Sequence, residues 1–202
     1  MALGSTPDGT TPANGASSEP AASQDGRFIA FASTATNLGI VPGGFQQIYV
    51  RDTCTGVTTG CSPATRLVSS PDTTLAPTTP AKGLSEHPSV NGCDSAVTTT
   101  TTCVTGQFIA FASVASNLSG NVASGVENIF VRNTCEGITT ACIPGTVLVS
   151  QAMGAPPAAD GNSVAPAISG DGHTIAFISF ADDLVAHDTN GLEDIFLAAT
   201  SF

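Results

Sequence analysis

Apolar residues in this chain are gathered into short runs rich in Ile, Val, Phe and Ala, each bounded by Gly, Pro, Asn or Asp. Short runs of this composition with such boundaries predict β-strands. The runs recur. RFIAFAS at 27–33, QFIAFAS at 107–113 and HTIAFIS at 173–179 are copies of one strand. Each is followed by ATNL, ASNL or ADDL, and then by a second apolar run: QQIYVRD at 46–52, ENIFVRN at 127–133 and EDIFLAA at 193–199. TRLVSS at 65–70 and TVLVSQ at 146–151 form a further strand in two of the copies. Ahead of each copy a short run surrounds a proline: 18–23, 86–91 and 164–169. SQDGR and SGDGH join that run to the next strand, and Asp-Gly there is a hairpin signal.

The repeat organises the whole chain. Units of four antiparallel strands span about 18–70 and 86–151, and a third spans about 164–202, with 1–202 forming a single all-β domain. The third unit ends at ATSF with no LVS run after it. Counting back from Asp25 as the equivalent of Asp171, Met1–Ser5 falls opposite Val147–Gln151. The expectation is therefore a spare N-terminal strand, 1–5, that completes the third unit of another chain. The linkers 71–85 and 152–163, rich in Pro, Ala, Gly and Thr, read as ordered-surface or flexible connectors.

Six cysteines fall as close pairs: Cys54/Cys61, Cys93/Cys103 and Cys135/Cys142. Zinc sites favour gaps of about two to four residues and often include histidine. Here the gaps are six, nine and six residues, and the three histidines lie elsewhere in the sequence. Three local disulfides are the expectation, against free thiols or zinc. They place the protein outside the cytoplasm, as extracellular, cell-surface or periplasmic. The pair 93/103 clamps an enlarged hairpin of unit two that contains Thr98–Thr102, and the other two sit across equivalent hairpin mouths.

Composition then narrows the function. The net charge of −11, with 5 Lys and Arg against 16 Asp and Glu, excludes nucleic acid and anionic membrane surfaces as natural partners. No apolar run approaches the length of a membrane helix, and no basic start followed by an apolar stretch is present. Cations are permitted. Asp188-Thr189-Asn190-Gly191-Leu192-Glu193-Asp194 alternates oxygen ligands, turns at Gly and ends on a carboxylate, which makes Asp188, Asn190 and Asp194 candidate calcium ligands. An ordinary Asp/Asn/Gly turn is the other reading. Catalytic signals are missing: there is no G-x-S-x-G, phosphate loop or metal-hydrolase motif. Ser85-Glu86-His87 are neighbours in sequence, which does not make a triad, and His87, His173 and His187 read as surface residues. Asn117-Leu118-Ser119 matches the glycosylation pattern.

The motifs S-x-D-G-x-x-I-A-F-x-S and [DN]-I-[FY]-V-x-[DN] resemble blades of the TolB-like (WD40-like) β-propeller family. The resemblance implies propeller blades but no particular function, because propellers serve as scaffolds, binders and enzymes. Three blades do not readily close a ring, so the expectation is a non-catalytic protein that self-assembles head to tail into a filament or ring. The alternative is a ligand-binding propeller domain of a larger secreted or periplasmic protein or enzyme. No cofactor beyond calcium is expected.

Overall fold

The computed structural model describes every residue except 1–2, 40–42, 72–78, 94–102, 121, 123–124, 139–140, 155–157 and 201. The described residues contain no helix, so none is present that could cross a membrane. Eleven strands form three antiparallel sheets. The first sheet is β1 (Ser17–Ala22), β2 (Phe28–Ser33), β3 (Gln47–Asp52) and β4 (Ala64–Leu67), paired in chain order. The second repeats it with β5 (Ser85–Val90), β6 (Phe108–Ser113), β7 (Asn128–Asn133) and β8 (Gly145–Leu148). The third has β9 (Ser163–Ile168), β10 (Thr174–Ser179) and β11 (Asp194–Ala199), with β11 at its edge.

The three sheets share one register. Phe31 faces Tyr49, Phe111 faces Phe130 and Phe177 faces Phe196. The rings of these pairs stack at 6.0, 5.9 and 5.8 Å. Every first strand carries a bulge just before its proline, where Glu19, His87 and Ala165 take φ of 52, 53 and 50°. Proline cannot donate to the ladder and disfavours the helical region for the residue before it, so the extra residue is accommodated in the left-handed region.

The sheets are stacked in chain order, with β5 lying between β1 and β9. One core fills the space between the first and second sheets: Phe28, Ala30, Ile48 and Val50 meet Ile109, Phe111 and Phe130. A second fills the next space: Phe108, Ala110, Ile129 and Val131 meet Ile175, Phe177 and Phe196. The second sheet is thus covered by a sheet on each face, and the first by the second sheet and by Ala13, Ala35 and Leu38, whereas β11 of the third leaves Ile195 and Leu197 exposed.

All three disulfides are local: Cys54–Cys61, Cys93–Cys103 and Cys135–Cys142, with Cα separations of 5.8, 5.7 and 5.8 Å. They indicate an oxidising, extracytoplasmic environment.

The described ends of the linkers, and the N-terminal segment around 13–15, pack closely on the sheets. Ala13, Ala81 and Ala159 donate backbone hydrogen bonds to the carbonyls of Ser5, Ser69 and Ser150. A Cβ placed on Gly15, Gly83 or Gly161 would meet the backbone around Ala35, Ala115 or Ala181 at 2.7, 2.9 or 2.6 Å, so only glycine permits this approach. These contacts also correct the alignment of the N-terminus. Ser5 is the equivalent of Ser69 and Ser150, one place off the expected match to Gln151, because the first linker is one residue shorter. Leu3–Ser5 form no strand within this chain.

Candidate functional site

Repetition allows each open position to be compared with its buried copies. Ile48 and Val50, like Ile129 and Val131, are at most 1% exposed, because the next sheet covers them. Their copies on β11, Ile195 and Leu197, are 70% and 75% exposed. Phe180 and Leu192 are exposed beside them. One face of the third sheet is therefore an exposed apolar surface.

At the other end of the stack the first sheet has no sheet before it. Ala13, Ala35 and Leu38 pack on Phe31 and Tyr49, but a cleft of about 170 Å³ remains, lined by Gly4, Ser18, Pro20, Ile29 and Phe31. In the second sheet the copies of Ile29 and Phe31 are Ile109 and Phe111, which share one core with Ile48, Val50 and Val68 of the sheet before. Gly4 stands where Val68 stands and supplies no side chain. Phe31 and Tyr49 are buried here as their copies are, and Ile29 is the residue of this face left part-exposed.

The hairpin turns repeat the comparison. Gly106 and Gly172 lie so close to the rings of Phe28 and Phe108 that a Cβ would fall 2.4 and 2.3 Å away. Gly26, their copy in the first sheet, has nothing within 4 Å. Polar contacts follow the same rule. Arg132 Nη1 donates to the carbonyls of Ser70 and Pro71, and Thr146 Oγ1 donates to Ser70. In the first sheet Arg51 Nη1 donates to Pro7 and Thr65 Oγ1 to Thr6. The N-terminal segment therefore occupies the place of a linker arriving from a preceding unit.

The predicted calcium residues lie in the loop before β11 and at its first residue, Asp194. Asn190 Nδ2 donates to Asp194 Oδ2 at 2.7 Å, and Asn190 Oδ1 accepts the Leu192 N–H at 2.7 Å. Asp188 lies in the same loop, before Asn190. The histidines are dispersed: His87 is on β5, the His173 ring lies tilted to that of Phe108 at 6.0 Å, and His187 takes a φ of 67° in the loop before β11. Thr98–Thr102 lie outside the described residues. Asn117 has a structural task, since its Oδ1 accepts the Lys82 N–H and its Nδ2 donates to Pro80 O. Asn37 holds Asn14 and Pro12 in the same way.

A carboxylate cluster where β1, β5 and the turn before β7 meet escaped sequence reasoning. Glu86, His87 and Glu127 bring ligand atoms within 4.8 Å of one another. Glu19 Oε2, from the first sheet, accepts the His87 N–H at 2.6 Å. Glu127 Oε1 is buried and has no hydrogen-bond partner among the described residues. Burial first, and then the charges of Glu86 and Glu19, push its carboxyl up to about 7. Four residues from 19 to 127 meet here because the bulged first strands lie side by side, a juxtaposition no local motif announces. Comparison with known protein families and with curated proteins finds no match for this chain.

Proposed function

We propose that the three sheets are β-propeller blades and that the chain is a non-catalytic, extracellular structural or interaction protein that associates head to tail with copies of itself. The observation that carries this reading is the exposure of Ile195 and Leu197 at positions whose copies are buried twice over inside the same chain. The cleft at Gly4, Ile29 and Phe31 offers the complementary surface. Contiguous exposed apolar surface of this kind marks an interface. The TolB-like resemblance of the repeats supports the same architecture, and head-to-tail contacts of this type generate rings or filaments.

The test is light scattering of wild type and of the double variant Ile195→Asp/Leu197→Asp across a range of concentrations. Wild type should form a dimer or larger particle, and the variant should remain a monomer with its three disulfides intact. A monomeric wild type at every concentration removes the reading. It would favour the second one, a ligand-binding propeller domain of a larger secreted protein. That alternative draws on the Glu19, Glu86, His87 and Glu127 cluster at β1, β5 and the turn before β7.

Calcium at Asp188, Asn190 and Asp194 is proposed separately. Chelator should lower the melting temperature of wild type but not of Asp188→Ala. An equal response, or none, removes calcium without touching the assembly.

A further inference from the structure

Two serines act as latches inside the chain. Ser69 Oγ donates to Gln47 Oε1 at 2.6 Å and accepts the Ile48 N–H at 2.9 Å. Ser150 Oγ donates to Asn128 Oδ1 at 3.0 Å and accepts the Ile129 N–H at 3.1 Å. In both sheets the residue before the serine seals the ladder: Val68 and Val149 donate to the carbonyls of Ile48 and Ile129, each at 2.8 Å. Leu67 and Leu148 then lie opposite Tyr49 and Phe130. Each latch fixes the register of the fourth strand by satisfying the first residues of the third.

The two halves of a third latch are both present, and they are apart. On β11 the copies of Gln47 and Ile48 are Asp194 and Ile195, at the open edge of a three-stranded sheet. Asn190 engages Asp194 Oδ2, which leaves Oδ1 facing no described donor. At the other end, Leu3-Gly4-Ser5-Thr6 repeats Leu67-Val68-Ser69-Ser70, as the shared bonds from Ala13 and Ala81 establish. The Ser5 carbonyl is used as in the copies, whereas its hydroxyl has no partner among the described residues. Leu3 is 42% exposed, with no facing strand. Within one chain the halves cannot meet, because Thr6 and Pro7 are held on the first sheet and the second sheet lies between it and the third.

We infer that residues 3–6 of a second copy add to β11 as an antiparallel fourth strand. Leu3 lies opposite Phe196, and the Gly4 N–H donates to Ile195 O. Ser5 Oγ donates to the Asp194 carboxylate and accepts the Ile195 N–H. The inference rests on the head-to-tail reading and specifies its partner segment to the residue. A fourth strand supplies ladder hydrogen bonds to an edge that otherwise presents unpaired backbone groups. It also brings the Gly4 cleft against Ile195.

The experiment mixes two full-length variants, Leu3→Cys and Phe196→Cys, under mild oxidation and resolves them by non-reducing electrophoresis. Positions facing like Leu67 and Tyr49 suit a disulfide. The expected result is an intermolecular cross-link several-fold stronger than that of Leu3→Cys with Ala198→Cys, two residues off register. Amide exchange of Ile195 in unaltered wild type is the second measurement, and should slow as protein concentration rises. If wild type assembles but neither the register preference nor the protection appears, the strand exchange is wrong and head-to-tail association stands. If wild type never assembles, both fall together.

Discussion

Strands β7 and β11 differ in sequence by little and in circumstance by a great deal. Asn128-Ile129-Phe130-Val131 and Asp194-Ile195-Phe196-Leu197 pair identically with β6 and β10. Phe130 and Phe196 are both buried, each facing the sheet before it. Ile129 is fully buried and Ile195 is 70% exposed, because only the first has a sheet after it. Burial here belongs to the joint between units and not to the strand. A unit of this repeat is half an interface on each face, as in other architectures whose repeats contact only their neighbours.

The largest expected effect breaks that comparison directly. Ile129→Ala removes packing from the centre of the second joint and should cost about 2–5 kcal/mol, the usual range for Ile to Ala in a core. Ile195→Ala makes the same chemical change at the repeat-equivalent place. In dilute solution it should lie within about 0.5 kcal/mol of wild type, as exposed substitutions generally do. Denaturant unfolding of both at low concentration is the measurement. Equal losses would mean that Ile195 is covered in solution even by a lone chain.

A smaller contrast lies in the hairpin glycines. Gly26 and Gly106 have φ of 70 and 77°, so alanine at either costs about 1–2 kcal/mol in the left-handed region. Gly106→Ala must also displace the Phe28 ring, whereas Gly26→Ala meets nothing. Overpacking of this kind typically adds about 1–3 kcal/mol. Thermal unfolding of the two variants should therefore separate them, with Gly106→Ala lower. If Gly26→Ala is the worse, an occupant already sits over the first turn.

Much of the fold is readable in the chain because strand pattern, Asp-Gly turns and close cysteine pairs are local signals. The three IAF strands, the third strands and the disulfides lie where those signals put them, with ends shifted by a residue or so. The fourth strands are shorter than expected, since Ser69 and Ser70 already turn away: their N–H groups bond Ile48 O and Val68 O. The close packing of the segments before the proline strands was not legible from composition alone. Pro12-Ala13-Asn14-Gly15 and Pro80-Ala81-Lys82-Gly83 have the composition of flexible connectors, yet their small residues are what allow close approach to Ala35 and Ala115. Their recurrence at a fixed distance before the proline strand was the available signal. The carboxylate cluster had none, since Glu19, Glu86 and Glu127 come together only through packing of whole sheets.

That cluster provides the smallest and most specific test, again by comparison between units. Glu127 precedes β7 at the place where Gln46 precedes β3, and Gln46 Nε2 donates to Ser85 O. The Glu127 carboxyl lies at about 7 in the folded protein against an ordinary 4.5, raised by burial and by Glu86 and Glu19. Below the ordinary value the group is neutral in both states and its contribution to stability is fully present. Between about 4.5 and 7 the unfolded chain gives up its proton while the folded chain keeps it, so the unfolded state binds fewer protons and stability falls as pH rises. Above that window the group is charged in both states and the loss is complete. Glu127→Gln installs the residue of unit one and removes this dependence. Its melting temperature relative to wild type should climb through the window and level off above it. At roughly 2–4 °C per kcal/mol for a chain of this size, the gain at pH 8 should be a few degrees. An offset that stays flat from pH 4 to pH 8 would mean that Glu127 ionises as an ordinary surface carboxylate, and that β1, β5 and the turn before β7 do not close over it.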